Sequence, residues 1–199
     1  MGALWVATYL AVLLWSAYAP KDVFTWFLEA LPALVALPLL AATRRRFPLT
    51  PLAYVLIWLH ASILLVGAHY TYAEVPLFDT LREVFHWQRN NYDKVGHFAQ
   101  GFVPAILARE ILLRLGVVRS QGWLAFVVIC FCLALSATYE LVEWGVAVAS
   151  GEAAVAFLAT QGDPWDTQSD MAWALIGAAS ALLLLSRLHD RQLAGLTRR

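Results

Sequence analysis

The sequence predicts an all-α, polytopic membrane protein: a bundle of about six transmembrane helices with a short interfacial helix at its outer face. Three observations predict it. The 199-residue chain is 61% hydrophobic and 14% charged, with a mean hydropathy of +0.64, too apolar for a domain with a wetted surface. Its apolar residues fall in runs of about 20, the length that crosses a hydrocarbon core of roughly 30 Å. Runs such as FVVICFCLALSA, residues 126–137, lack the period-2 alternation of barrel strands, so the spans are helices.

The candidate spans lie near 3–19, 23–42, 51–70, 93–114, 121–149 and 167–187. The first ends in Ala17-Tyr18-Ala19, a small-x-small pattern that resembles a signal-peptidase site. No Lys or Arg precedes its apolar run, however, so an uncleaved helix is expected. Pro32 and Pro38 should kink the second helix, because each removes an intrahelical hydrogen bond. Between the third and fourth spans, residues 73–91 place Leu77, Leu81, Val84 and Phe85 at helical spacing with charges between them, which suits a short helix lying in the interface. Trp87, Trp144, Trp165 and Trp173 fall near the same level, as an aromatic belt would. Gly96 and Gly101 permit close helix approach. Cys130 and Cys132 point to different faces of the fifth helix, which fits neither a disulfide nor a CxxC metal site. No repeat, linker or low-complexity tract divides the chain, so residues 1–199 are read as one domain.

Charge sets the expected orientation. Arg44–Arg46, the Arg109/Arg114/Arg119 group, and Arg187, Arg191, Arg198 and Arg199 place ten of the fourteen basic residues on one side. By the positive-inside rule that side is cytoplasmic, with both termini inside. Twelve of the fourteen acids then belong to the outer half, since only Glu110 and Asp190 lie inside. The net charge of zero hides this asymmetry.

In this topology the polar residues of several helices converge. The third helix finishes outward at His69, and the fourth begins there with Asp93 and His97, which share a face at i, i+4. The fifth brings Glu140 and Glu143, at i, i+3, to the same level, and Asp163, Asp166 and Asp170 follow where the chain turns into the sixth. Ionisable groups in a membrane helix cost roughly 2.5–3.5 kcal/mol on insertion scales, so they should face the bundle interior and find partners. Arg89 and Lys94 are the nearby cations, too few for so many carboxylates, and a divalent ion would make up the deficit. A histidine with carboxylates suits zinc or manganese, and magnesium or calcium if the histidine stays out. Simpler roles fit some of these residues as well: Asp93 favours the helix dipole, His97 could bond a buried neighbour, His60 reads as structural, and Thr167-x-x-Asp170 matches a capping box.

The phrases HYTY at 69–72, RNNYDKVGHFAQGF at 89–102, SATYELVEW at 136–144 and TQGDPWDTQSDM at 160–171 resemble the YjdF family of uncharacterised bacterial inner-membrane proteins. More distantly, Asp93-Lys94-x-x-His97 is similar to a phrase of VanZ-like proteins, whose later Asp-x-x-x-Asn-x-x-Gly phrase is matched here by Asp170 and Gly177 but has Ala174 at the Asn position. The resemblance implies a multi-pass protein of the bacterial inner membrane and a role in the cell envelope, and it supplies no reaction.

The leading expectation is therefore a periplasm-facing pocket that binds a divalent metal (Zn, Mn, Mg or Ca) through Asp93, His97, Glu140, Asp163, Asp166 and Asp170. Glu143 or His69 would act as general base in hydrolysing a lipid head group or lipid-linked precursor, with Tyr139, Lys94, Gln161 and Trp165 as substrate contacts. The rival is a non-catalytic envelope factor or small transporter whose carboxylates hold a cation, a proton or a basic group. Membrane lipids are the expected partners and nucleic acid is not. Topology reporters fused at Arg45 and at the C-terminus should read cytoplasmic, and reporters in 73–91 and at Asp163 external. Cytoplasm-only access to Asp163 would remove the site from its expected location.

Overall fold

The computed structural model describes residues 2–150 and 155–196. Arg198 and Arg199, counted above among the basic residues, lie outside them. The described residues form eight α-helices: α1 (Ala3–Ala17), α2 (Val23–Thr43), α3 (Pro51–Tyr70), α4 (Pro76–Phe85), α5 (Tyr92–Arg114), α6 (Gln121–Ser150), α7 (Val155–Leu158) and α8 (Asp166–Leu196), with a 3-10 turn at Tyr72–Glu74. Four helices are long and apolar enough to cross a membrane, Val23–Thr43, Pro51–Tyr70, Gly122–Ser150 and Asp166–Leu196. The expected count of six is therefore approximate: α1 has 15 residues, and α5, at 23 residues, carries Asp93, Lys94, Arg109, Glu110 and Arg114.

Local chemistry sets the ends. The Asp22 carboxylate accepts from Thr25 N at 2.7 Å and starts α2. Thr50 caps α3 just ahead of Pro51, which occupies the first helical turn where its missing N–H costs nothing. The interfacial segment is helical over Pro76–Phe85 only, because Pro76 begins it and His86, with φ 54°, ends it in the left-handed conformation. α8 runs well beyond residue 187. Its extension is pinned by Asp190, which accepts from Arg109 Nη2 at 2.6 Å, and by Gln192, whose Oε1 accepts from Leu52 N at 2.8 Å.

The helices expose apolar side chains such as Val35, Leu59, Phe126, Leu183 and Leu184 and bury small or polar ones, the distribution a lipid-solvated bundle requires. α1 is fastened to its neighbours by Trp5 Nε1 to Tyr54 O at 2.9 Å and Tyr9 OH to Ala33 O at 2.6 Å. Cys132 is buried and Cys130 exposed, on the different faces expected. The most extensive helix pair is α5 with α8. Two glycines allow it: a Cβ on Gly101 would lie 1.8 Å from Ala174 O, and one on Gly177 would lie 2.1 Å from Phe98 O.

A polar cluster that the sequence analysis treated only as inside charge closes one end of the bundle. Glu110 and His189 are both fully buried. The Glu110 carboxylate accepts from Thr50 N at 3.0 Å, Thr50 Oγ1 at 2.8 Å and Arg114 Nη1 at 2.9 Å, with His189 Nε2 at 3.2 Å. This joins the start of α3 to the ends of α5 and α8.

Gly101→Ala and Gly177→Ala should each destabilise the protein in detergent by about 3 kcal/mol, because the added methyl meets backbone that cannot rotate aside. Gly122→Ala, where a Cβ meets nothing within 4 Å, should melt as the wild type.

Candidate functional site

The opposite end of the α5/α8 pair carries the acidic cluster. Asp93 and His97 lie one turn apart on α5, and Asp166 and Asp170 one turn apart on α8, so the close helix approach sets two i, i+4 pairs facing each other. All four side chains are buried. Lys94 Nζ donates to Asp166 Oδ1 and Asp170 Oδ1, each at 2.7 Å, and lies 3.3 Å from Asp93 Oδ2. Arg89, from the loop before α5, bonds Asp166, reaches Asp163 Oδ2 at 3.4 Å and Asp93 Oδ2 at 3.2 Å, and donates to Ala159 O at 3.2 Å. The loop that offers this carbonyl is tightly bent, with φ of 48° at Ala159 and 50° at Gln161, conformations non-glycine residues seldom adopt.

The division of labour among carboxylate oxygens is specific. Asp93 and Asp170 each give one oxygen to the cations and turn the other toward His97: Nε2 is 3.2 Å from Asp93 Oδ1 and 3.7 Å from Asp170 Oδ2. On the far side of the ring, Nδ1 lies 3.1 Å from Gln100 Oε1, an acceptor that suits the tautomer with its proton on Nδ1. Nε2 then faces two carboxylate oxygens. A bare lone pair there would be repelled by both, so that position calls for a proton or a metal ion.

Beside this cluster lies a cavity of about 130 Å³. Asp93, Gly96, His97 and Gln100 of α5 form one wall, Tyr139 and Glu143 of α6 another, and Glu29 of α2 a third. Glu140 is buried next to His97, its Oε1 3.9 Å from Nδ1 and without a hydrogen-bond partner. The Tyr72 ring is held between Gly67 of α3 and Gly96 of α5, where a Cβ would approach it to 2.4 Å and 2.7 Å.

Of the residues the sequence singled out, Asp93, His97, Glu140 and Asp170 come together from three helices, and Tyr139 and Glu143 line the adjoining cavity. Asp163 and Asp166 are drawn to Arg89, and Lys94 to the aspartates. Gln161 instead pairs with the Asn90 backbone, accepting from its N–H at 2.9 Å and donating to its carbonyl at 2.8 Å. Trp165 is exposed. His69 stands apart from the cavity lining, with Nδ1 3.1 Å from Ser16 O and its ring against Trp15 and Tyr70. Asp170 lies inside α8 on Lys94 rather than at its start.

Glu29 was missed by the sequence analysis. It is 2% exposed, and among the described residues neither carboxylate oxygen has a side-chain partner, the Tyr72 backbone N–H being the donor beside it. The signal was present, since Glu29 is the one charged residue of the α2 span, and a lone acid in a membrane helix is a site candidate by default.

Comparison with known proteins places the chain in a family. Residues 1–191 match the family described as "Predicted membrane protein (DUF2238)". The chain belongs to this family. It is 52% identical over 182 residues to the inner membrane protein YjdF of Escherichia coli strain K12, a match covering 92% of this chain and 87% of that protein. No solved structure matches it. The family is thus described by its membrane location, and chemistry has to be argued from the side chains.

Lys94→Met should destabilise the protein by about 3–5 kcal/mol in detergent unfolding, because it strands buried carboxylates without a counter-charge. Adding Asp166→Asn should recover part of that loss. Equal stability of wild type and Lys94→Met would show that the cluster does not depend on this cation.

Proposed function

We propose that the protein is a multi-pass protein of the bacterial inner membrane, both termini cytoplasmic, whose periplasm-facing cavity binds a divalent metal ion and hydrolyses a lipid head group or lipid-linked envelope precursor. One observation carries the metal reading. Ligand atoms of Asp93, His97 and Asp170 all lie within 4.8 Å of one another, and the acceptor on Nδ1 leaves His97 Nε2 turned toward both carboxylates. Metal-binding imidazoles are commonly held in this way, with the second ring nitrogen donating to an acceptor. Lys94 and Arg89 play the matching part for the aspartates, fixing the oxygens that face away.

The donor set, one imidazole with carboxylates, favours zinc or manganese over calcium or magnesium. Glu140 lies on the Nδ1 side of the His97 ring and outside the three-residue group, so it supports the imidazole rather than the ion, and Asp163 and Asp166 serve as outer partners through Arg89. When bound, the ion would bring the pKa of a coordinated water toward ~7. Glu143 lines the same cavity as Asp93 and His97 and would be the residue placed to accept a proton from water held there. Tyr139 lies against the His97 ring at a centroid distance of 6.3 Å and contacts the substrate.

The rival reading, a non-catalytic binder or small transporter that holds a cation or a proton, is favoured by the engagement of Asp163, Asp166 and Asp170 with Arg89 and Lys94. Elemental analysis decides between them. The detergent-purified protein, stripped and reloaded, should hold about one equivalent of metal, and His97→Ala and Asp170→Asn should lose it. At an excess of roughly 100 times Kd the metal should stabilise wild type by about 2.7 kcal/mol and leave those variants unmoved. A wild type that holds no stoichiometric metal after dialysis against each candidate makes the cluster a proton-sharing network, and the hydrolase reading falls with it.

A further inference from the structure

We infer that the carboxylate cavity and the apolar groove beside it form one binding site for a bilayer lipid with a primary-amine head group, its ammonium at Glu29 and its acyl chain between α2, α3 and α5. The inference rests on the reading of this cavity as a binding site, and names its substrate class without needing the metal.

The head-group end follows from charge. Glu29, Asp93 and Glu143 line the cavity, and among the described residues no lysine or arginine does. The Asp93 carboxylate is answered by Arg89 and Lys94 from outside the cavity, whereas buried Glu29 has, among the described residues, no cation and no side-chain donor, only the Tyr72 backbone N–H beside it. A buried carboxylate left unpaired in hydrocarbon is costly, and the ligand that relieves it is a cation bearing N–H donors. The tyrosines at 72 and 139 supply aromatic rings, which suit an organic ammonium better than a bare ion. Glu29 stands outside the three-residue metal constellation, so the two ligands do not compete for it.

The chain end follows from continuity. A second cavity of about 470 Å³, almost wholly apolar, shares Pro32, His60 and Leu64 with the first. It extends along α2 from Pro32 to Thr43, about 16 Å at ~1.5 Å per residue, half the thickness of a hydrocarbon core. Buried Ala33, Ile57, Ala61 and Val103 line it, while Leu39 and Ile111 at its edge are exposed on the lipid-facing surface. His60, at the junction, offers a donor where the phosphoryl group of such a lipid would lie. A free amine would fill only the first cavity.

Native mass spectrometry of the detergent-purified full-length protein tests this, with dioleoyl phosphatidylethanolamine, dioleoyl phosphatidylglycerol and free ethanolamine as probes. The wild type should retain the amine lipid about tenfold better than the glycerol lipid, the range of one charge-assisted hydrogen bond, and better than free ethanolamine. Glu29→Gln should bring the two lipids to equal retention. Ala36→Trp, which fills the groove from α2, should lose both lipids while keeping the lipid-free melting temperature. Equal retention of the two lipids by the wild type overturns the inference, and so does full lipid retention in Ala36→Trp. If Glu29→Gln does not fold, the wild-type lipid ratio and Ala36→Trp decide the matter between them. Amine preference in a wild type that holds no metal would sink the metal reading and leave this one standing; metal without amine preference would do the reverse.

Discussion

The close approach of α5 and α8 is the constraint on which the rest depends. At Gly101 and Gly177 the facing backbones leave no room for a methyl group, so the two helices meet with less side-chain padding than an ordinary pair. The charged groups of α5 and α8 are placed by that contact. On one side of it Asp93, Lys94 and His97 face Asp166 and Asp170; on the other Arg109 and Glu110 face His189 and Asp190. A wider separation would leave these groups as isolated charges in a hydrocarbon environment, which neither helix could carry alone.

The two charged ends differ in a way that separates structural work from functional work. At the Glu110 end both carboxylate oxygens are hydrogen-bonded, to Thr50 and Arg114, with His189 alongside. A network satisfied in this way rigidifies the bundle and has nothing left to bind with. At the Asp93 end the sharing is incomplete. The cations come from α5 and the loop before it, while on α2 and α6 Glu29 and the Oε1 of Glu140 have no side-chain partner among the described residues. Native proteins leave few buried polar atoms unpaired, and those that remain mark places where something else completes the set.

Much of this was legible in the sequence, and the gaps have physical causes. Helix type and most boundaries followed from apolar run lengths, because a membrane span leaves the backbone few alternatives. The extension of α8 was not legible, since it depends on Asp190 and Gln192 finding Arg109 and Leu52 across the bundle. The meeting of Asp93, His97, Glu140 and Asp170 followed from depth and helix phase. Which carboxylates face cations and which face the cavity did not follow, because rotation about the helix axis is set by packing. His69 shows the limit: it lies at the expected level, yet the ring turns toward α1, where Ser16 O and Trp15 receive it. Glu29 could have been found from its solitary charge, but its place in the cavity depends on how α2 leans on α3.

That lean also decides how anything reaches the site. α2 packs along α3 and meets the short α7, and among the described residues it makes little contact with α5 or α6. The helices bearing the cations are thus the ones locked together by glycine, while the helix bearing the orphaned carboxylate stands at a looser seam. The apolar groove lies between α2 and α5, along that seam. A bundle can part where few contacts are lost and cannot part where backbones touch. Entry from the bilayer between α2 and α5 would therefore disturb neither the aspartate cluster nor the Glu110 network.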